Sequence, residues 1–448
     1  PVFIPCRTFW DFTKMESKNE PEYTYLQCVL DACDELPHFT FDRHSTEPFG
    51  VLDYPEECRI KALALKLFWK RNHLAGVPSE LIPAPEPRHY RTTSKRKVEC
   101  VRNKVRLLHL GHGAGKEIRG NLQYSLLEPD LHHRIYEAVL EHLSRPQGRL
   151  AAREMNYCIL RSSGEKVCVI FNLARLNAAI VRRLRTVAEE LHSEIPEIAS
   201  AFLYLDESRS NYYLEAKSPV KTLFGSSFLD VTLPGGRRLL YPPTGFSQLN
   251  APMLPVFLNT AEELIRPEAD ARLLDLYCGY GLIGLYLFPG VSSMLGVEID
   301  GPSVETAAAN AEHLFPKQEI RFIRSEISPA LIRDKFPPAS GKELLVLDPP
   351  RSGTANGVIK ELARRKPLRV LHIFCGTDTI PSALEQWTSR GYQPLRIVPL
   401  DLFPGTPNLE TMILFEPGER GREQSSTPVP AKKEKGRNRN FRRKPSRS

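Results

Sequence analysis

Short apolar runs punctuate the second half of the chain at Arg272–Tyr277, Met294–Ile299, Ile320–Arg324, Leu344–Leu347 and Arg369–Phe374. Segments with helical spacing lie among them: Pro255–Ile265 before the first, then Pro302–Phe315 and Ile380–Arg390. Continuous apolar strands that alternate with helices predict a doubly wound, mostly parallel α/β sheet covered on both faces. A final pair, Leu395–Leu402 and Thr411–Glu416, is joined by a short Pro-Gly-Thr-Pro loop and reads as antiparallel.

The pattern upstream is different. Lys97–Leu110 alternates as a strand does, and Cys158–Asn172 predicts a hairpin around Ser163-Gly164. Leu131–Leu143 and Leu176–His192 have helical spacing, and Tyr212–Pro243 supplies further short strands around Pro234-Gly235-Gly236. Residues 88–250 therefore predict an α+β domain ahead of a sheet domain at 251–416. In 1–87 a helix is expected over Pro55–Asn72, and the proline-punctuated Leu81–Arg88 reads as a linker. Pro1–Gly50 is aromatic-rich and has no sustained period.

Charge changes this picture only once it is located. Pro417–Ser448 holds eleven Lys and Arg against three Glu, so it carries the whole formal charge of +8 and leaves a body with 50 basic and 50 acidic residues. Residues 417–448 are poor in apolar side chains and predict a disordered basic tail that attracts RNA phosphates without reading sequence. No apolar run is long enough to span a membrane, and Pro1–Lys14 lacks the pattern of a secretory leader. Nine scattered cysteines fit a reducing, cytoplasmic setting better than a disulfide framework. No feature calls for an obligate protein partner, and a monomer is expected.

Candidate chemistry gathers at the C-terminal ends of the apolar strands, where open α/β sheets bind ligands. Asp275-Leu276-Tyr277-Cys278-Gly279-Tyr280-Gly281 is followed at Gly284 by a third glycine, which matches the dinucleotide spacing, and acidic Glu298 ends the next strand. Spacing alone does not separate NAD from S-adenosylmethionine. The acidic Asp275, the wide loop at Tyr277–Tyr280 and the Asp348-Pro349-Pro350 strand end favour a methionine zwitterion over a pyrophosphate. Arg351 stands where methyltransferases of exocyclic amines often carry a base-stacking aromatic, which argues against amine methylation. Cys375 follows a buried strand and precedes a helix expected near Thr377, a position that stabilises a thiolate nucleophile. Glu410 enters a strand after a proline-braced loop and is a candidate general base.

These motifs, in this order, resemble the RNA uracil-C5 methyltransferases that modify transfer and ribosomal RNA. The resemblance runs from His89-Tyr90-Arg91 through Gly245–Asn250, DLYCGYG, GVEID, LDPPR and HIFC to LFPGTPNLE, or roughly His89–Glu416. It implies a Rossmann-like methyltransferase sheet preceded by an RNA-binding α+β domain, with S-adenosyl-L-methionine as cofactor and RNA as partner. It assigns Cys375 to attack on uracil C6 and Glu410 to removal of the C5 proton. Gln248, Tyr277, Gly279, Gly281, Glu298 and Asp348 match cofactor or active-site positions.

Two departures stand out. The family's Ser-Cys-Asn-Pro is replaced by Phe374-Cys375-Gly376-Thr377, which keeps open a catalytically impaired RNA-binding relative as the alternative. Some members also bind an iron–sulfur cluster. Here Cys28, Cys33 and Cys58 lack the required spacing and Tyr124 takes the middle-domain position, so no metal is expected.

Overall fold

The computed structural model describes residues 21–109, 124–208, 220–339 and 342–418. Of the basic tail, residues 419–448 lie outside these.

Two helices open the described chain, α1 (Tyr25–Cys33) and α2 (Tyr54–Arg71). A reciprocal Thr24/Gln27 capping box starts α1. Glu56 and Glu57 in the first turn of α2, and Lys70 and Arg71 in the last, complement its dipole. The following segment is not a loose linker: Ser79 and Ile82 donate their N–H groups to Ile397 O and Pro399 O, and Arg88 donates to the carbonyls of Phe49 and Leu52.

The middle region forms β1 (Thr93–Val101), β2 (Lys104–Leu108), α3 (Asp130–Ser144), α4 (Gly148–Ala152), β3 (Met155–Ser163), β4 (Lys166–Leu173), α5 (Ala178–Glu194), β5 (Ile198–Leu205) and β6 (Val220–Gly225). The alternating stretch read as one strand is a hairpin, turning at Arg102 and Asn103, both with positive φ. Its six-stranded sheet has the order β2-β1-β3-β4-β5-β6 and is antiparallel except where α5 connects parallel β4 and β5. Period-two alternation gives the sheet two apolar faces. Cys158, Leu160, Val169 and Phe171 pack with residues of α3–α5. Tyr157, Ile159, Ile170 and Phe202 face the other way and share one core with Leu254, Phe257 and Leu273 of the following region.

The remainder comprises β7 (Leu229–Thr232), β8 (Arg238–Tyr241), α6 (Leu254–Ile265), β9 (Arg272–Leu276), α7 (Leu282–Leu287), β10 (Ser293–Glu298), α8 (Gly301–Leu314), β11 (Ile320–Arg324), α9 (Pro329–Asp334), β12 (Glu343–Leu347), α10 (Val358–Arg364), β13 (Arg369–Phe374), α11 (Ile380–Thr388), β14 (Tyr392–Leu400) and β15 (Glu410–Pro417). The seven-stranded sheet runs β11-β10-β9-β12-β13-β15-β14, with β15 antiparallel to both its neighbours. This is the expected doubly wound, mostly parallel architecture with an antiparallel end. Helices α1 and α2 bury Cys28, Val29, Phe68 and Trp69 in one core with Leu345, Val370 and Trp387. The N-terminal region thus covers part of one sheet face. Strand order reverses between β9 and β12, so a crevice opens at their carboxyl ends.

Candidate active site

The loop after β9 is shaped by three left-handed residues, Tyr277 (φ 66°), Gly279 (φ 55°) and Gly281 (φ 88°). Tyr277 has a side chain and holds this conformation at a cost; the N–H groups of Tyr277 and Cys278 both donate to Val297 O, which pins the loop over the end of β10. A Cβ on Gly279 would meet no atom within 4 Å, so this glycine faces open space. Gly284 is different: a Cβ there would lie 2.5 Å from Asp275 Oδ2 and against Met294 Cε. The first glycine leaves room for a ligand; the third allows helix α7 to pack on the sheet.

Three carboxylates converge on this crevice. Asp275 accepts the Gly284 N–H at 2.9 Å through Oδ2, while its buried Oδ1 has no hydrogen-bond partner among the described residues. Burial pushes its carboxyl up to about 7, with Asp348 and Glu298 adding to the rise. Asp348 is likewise raised to about 7 by burial and by Glu298. Glu298 is raised by burial and held down by backbone N–H donors at Gly279 (3.1 Å), Ile299 (2.7 Å) and Asp300 (2.9 Å). Asp275 and Asp348 line a cleft with Phe246, Gln248, Tyr277 and Gly279. Gln248 is held there by its carbonyl, which accepts the Thr92 hydroxyl at 3.1 Å.

The reactive half lies one strand along. Phe374 pairs with Thr411 across β13 and β15, which brings the next residue, Cys375, beside Glu410. The Cys375 thiol donates to Pro349 O at 3.7 Å. Burial, then Glu410 and Asp348, hold its pKa well above the usual thiol range, while Arg351 opposes them. The expectation of a thiolate stabilised by a helix end is therefore corrected. A 3₁₀ turn at Thr377–Thr379 precedes α11, and the anionic, desolvated surroundings dominate. Buried Glu410 is pushed well above the carboxylate range by burial and Asp348, again opposed by Arg351. Arg351 itself lies 5.9 Å over the Phe403 ring. In the sequence it was visible only as the missing aromatic of the Asp-Pro-Pro motif; its electrostatic influence on both Cys375 and Glu410 needed the fold.

Glycine after Cys375 has a steric basis. A Cβ on Gly376 would come 2.6 Å from the Arg351 carbonyl oxygen, so the glycine permits the two strand-end loops to approach. Beneath them, His372 stacks on Phe374 at 4.0 Å and accepts from Trp387 Nε1–H at 3.3 Å. Burial lowers its pKa to about 3, so it is a neutral support.

Among the described residues no three His, Cys, Asp or Glu side chains group as a metal site. Nor is any described helix long and apolar enough to cross a membrane.

Residues 214–417 match the model of the tRNA (uracil-5-)-methyltransferase family. That stretch belongs to the family. It contains the glycine loop, all three carboxylates, Arg351, Cys375 and Glu410.

An uncharacterized RNA methyltransferase of Chlamydia muridarum is 31% identical over 197 residues, which cover 43% of this chain and 49% of the relative. Another, from Geobacter sulfurreducens, is 24% identical over 390 residues, or 82% and 74%. The 23S rRNA (uracil(1939)-C(5))-methyltransferase of Pseudomonas putida is 28% identical over 281 residues, or 62% and 56%. Apart from the Geobacter protein, the chain spans about half the length of these relatives. The Pyrococcus abyssi tRNA (uracil-54, C5)-methyltransferase, crystallised with S-adenosyl-L-homocysteine, superposes with a TM-score of 0.62 at 20% identity, covering 81% of this chain and 84% of that one. The likeness is one of fold, and it gives the chain a Rossmann-like methyltransferase architecture.

Proposed function

We propose that the protein is an S-adenosylmethionine-dependent RNA methyltransferase acting on uracil C5 through a covalent adduct at Cys375. The observation that carries this reading is the placement of the half-buried Cys375, one residue past β13, beside the buried Glu410 that opens β15, next to a crevice lined by acidic residues.

The cofactor would fit this crevice. An anionic lining suits a ligand that carries both an ammonium and a sulfonium charge. The unpartnered Oδ1 of Asp275 offers an acceptor, and the space beside Gly279 admits a ligand close to backbone. Gln248, Tyr277, Gly279, Gly281, Glu298 and Asp348 are the residues we assign to holding it. When bound, S-adenosylmethionine supplies its methyl group as an electrophile.

The chain's own residues then do the following. Uracil C5 is a poor nucleophile, so Cys375 Sγ bonds to C6 and shifts electron density to C5. Its thiol must first lose a proton. Arg351 favours the anionic forms of Cys375 and Glu410 and offsets the cost of charging them out of water. After C5 is methylated, Glu410 accepts the C5 proton, the Sγ–C6 bond breaks, and the C5=C6 double bond returns. The RNA would be a transfer or ribosomal RNA, with the central domain and the basic tail contributing affinity.

Incubation with cofactor labelled in its methyl group and with uridine-containing RNA should yield labelled 5-methyluridine. Cys375→Ala should abolish it. Unchanged yield from that variant would remove the covalent mechanism.

A further inference from the structure

The region before the family match grips the loop that carries Glu410. Lys61 on α2 is completely buried, with Nζ 2.8 Å from Asp401 Oδ1, 2.7 Å from Glu57 Oε1 and 3.1 Å from Phe403 O. Glu57 accepts the Gly405 N–H at 2.6 Å and pairs with Arg88 at 3.2 Å. Phe49 N–H donates to Gly405 O at 3.0 Å, and the Tyr90 hydroxyl donates to Pro404 O at 2.8 Å. Asp401 also accepts from Tyr54 at 3.2 Å. Nearly every grip on Asp401–Gly405 comes from residues 49–90. Leu400 and Glu410 are ladder partners, so the gripped loop begins and ends at the base. Inside it, Thr406 donates to Phe403 O and Asn408 to Thr406.

We propose that Lys61 is a positioning residue for Glu410: its ammonium neutralises Glu57 and Asp401 together and so fixes the 401–409 loop from which Glu410 reaches the substrate. This rests on the functional reading above. A buried cation between two buried carboxylates is not interchangeable with an apolar residue, because removing it takes the cation from Asp401 and leaves Glu57 with Arg88 alone. The loop would then move off α2, and displacement of about 1 Å at a catalytic group costs roughly 10²-fold in rate.

The test uses the full chain. For Lys61→Met, kcat with RNA should fall about 10²-fold, and KM for RNA should fall with it rather than rise. A protein–RNA adduct stable to denaturation should accumulate, because C5 is methylated while its proton is not removed. General loss of structure would lower activity without enriching that adduct. Tyr90→Phe keeps its ring and loses the hydroxyl that donates to Pro404 O, so it reports on the same loop without removing the buried cation. It should show a smaller fall with the same adduct, and it decides the matter if Lys61→Met does not fold. Wild-type turnover in both variants, or a fall without adduct in a folded variant, overturns the proposal. A wild-type protein that forms neither 5-methyluridine nor adduct overturns the functional reading itself.

Discussion

Gly284→Ala tests whether the third glycine of the loop motif serves packing. Its Cβ would enter 2.5 Å from Asp275 Oδ2, where about 3.5 Å is the comfortable separation of non-bonded carbons. The methionine end at Met294 can swing away. Asp275 cannot, because it sits on β9 between β10 and β12 and its carboxylate is bonded to the Gly284 N–H. Relief therefore requires about 1 Å of carboxylate movement and loss of that bond, worth roughly 1.5–3 kcal/mol for a charged acceptor. Alanine returns about 1 kcal/mol through helix propensity. Residual overpacking adds back about 1 kcal/mol, so the net destabilisation is about 2 kcal/mol. Urea unfolding should show a lower midpoint at unchanged m-value, and calorimetry a weaker affinity for S-adenosylhomocysteine. Gly279→Ala is the control. Its Cβ points into open space, so it should cost only about 1–2 kcal/mol for the left-handed backbone and yet weaken the ligand more strongly. Wild-type stability and affinity in Gly284→Ala would refute the packing argument.

Other outcomes follow from the same geometry. Arg351→Met removes the cation that favours the thiolate, so the rising limb of the pH–rate profile should move up by about 1–3 units while Arg351→Lys restores part of it; an unmoved limb would free Arg351 of this role. Asp348 is raised to about 7 by burial, so the folded state holds its proton more tightly than the unfolded one, and stability from this group falls as pH rises from about 4 to 7. Asp348→Asn should accordingly make the ligand-free protein more stable at pH 7 and bind S-adenosylhomocysteine more weakly, as read by thermal melts with and without ligand. Gly376→Asn, which imposes a Cβ against the Arg351 carbonyl, should lower stability by about 1–3 kcal/mol and not restore the family's loop geometry. Deleting Ala431–Ser448 should flatten the salt dependence of RNA binding, by about 0.7 in log–log slope for each phosphate of single-stranded RNA that the tail had neutralised.

The catalytic sheet was legible because its physics is local. Buried parallel strands such as Leu344–Leu347 read as unbroken apolar runs, and each releases its functional residue at the same end. Glu410 is different: a strand and a proline-braced loop locate it, but its local sequence reads as a solvated edge-strand residue, and only the resemblance singles it out. Helix α1 was not legible: its buried residues Cys28, Val29 and Ala32 acquire meaning only against the sheet face they cover. Lys61 was hidden by its type, because a lysine within an amphipathic helix reads as solvated until Asp401, 340 positions away, is known to meet it. The sequence points to a stabilised thiolate at Cys375 because the position before a helix is visible in the chain, whereas the carboxyls of Asp348 and Glu410, which raise its pKa, come together only in the fold.

The central claim is a bond between Cys375 and uracil C6, and 5-fluorouridine RNA interrogates it directly. Fluorine at C5 cannot leave as a proton, so Glu410 has nothing to remove and the adduct persists. Incubation of the full chain with this RNA and S-adenosylmethionine, followed by protease digestion and mass spectrometry, should find a methylated fluorouridine attached to the peptide containing Cys375. The Cys375→Ala protein should bind the RNA without forming the adduct. An adduct on another cysteine, or labelled 5-methyluridine produced by Cys375→Ala, would contradict the account.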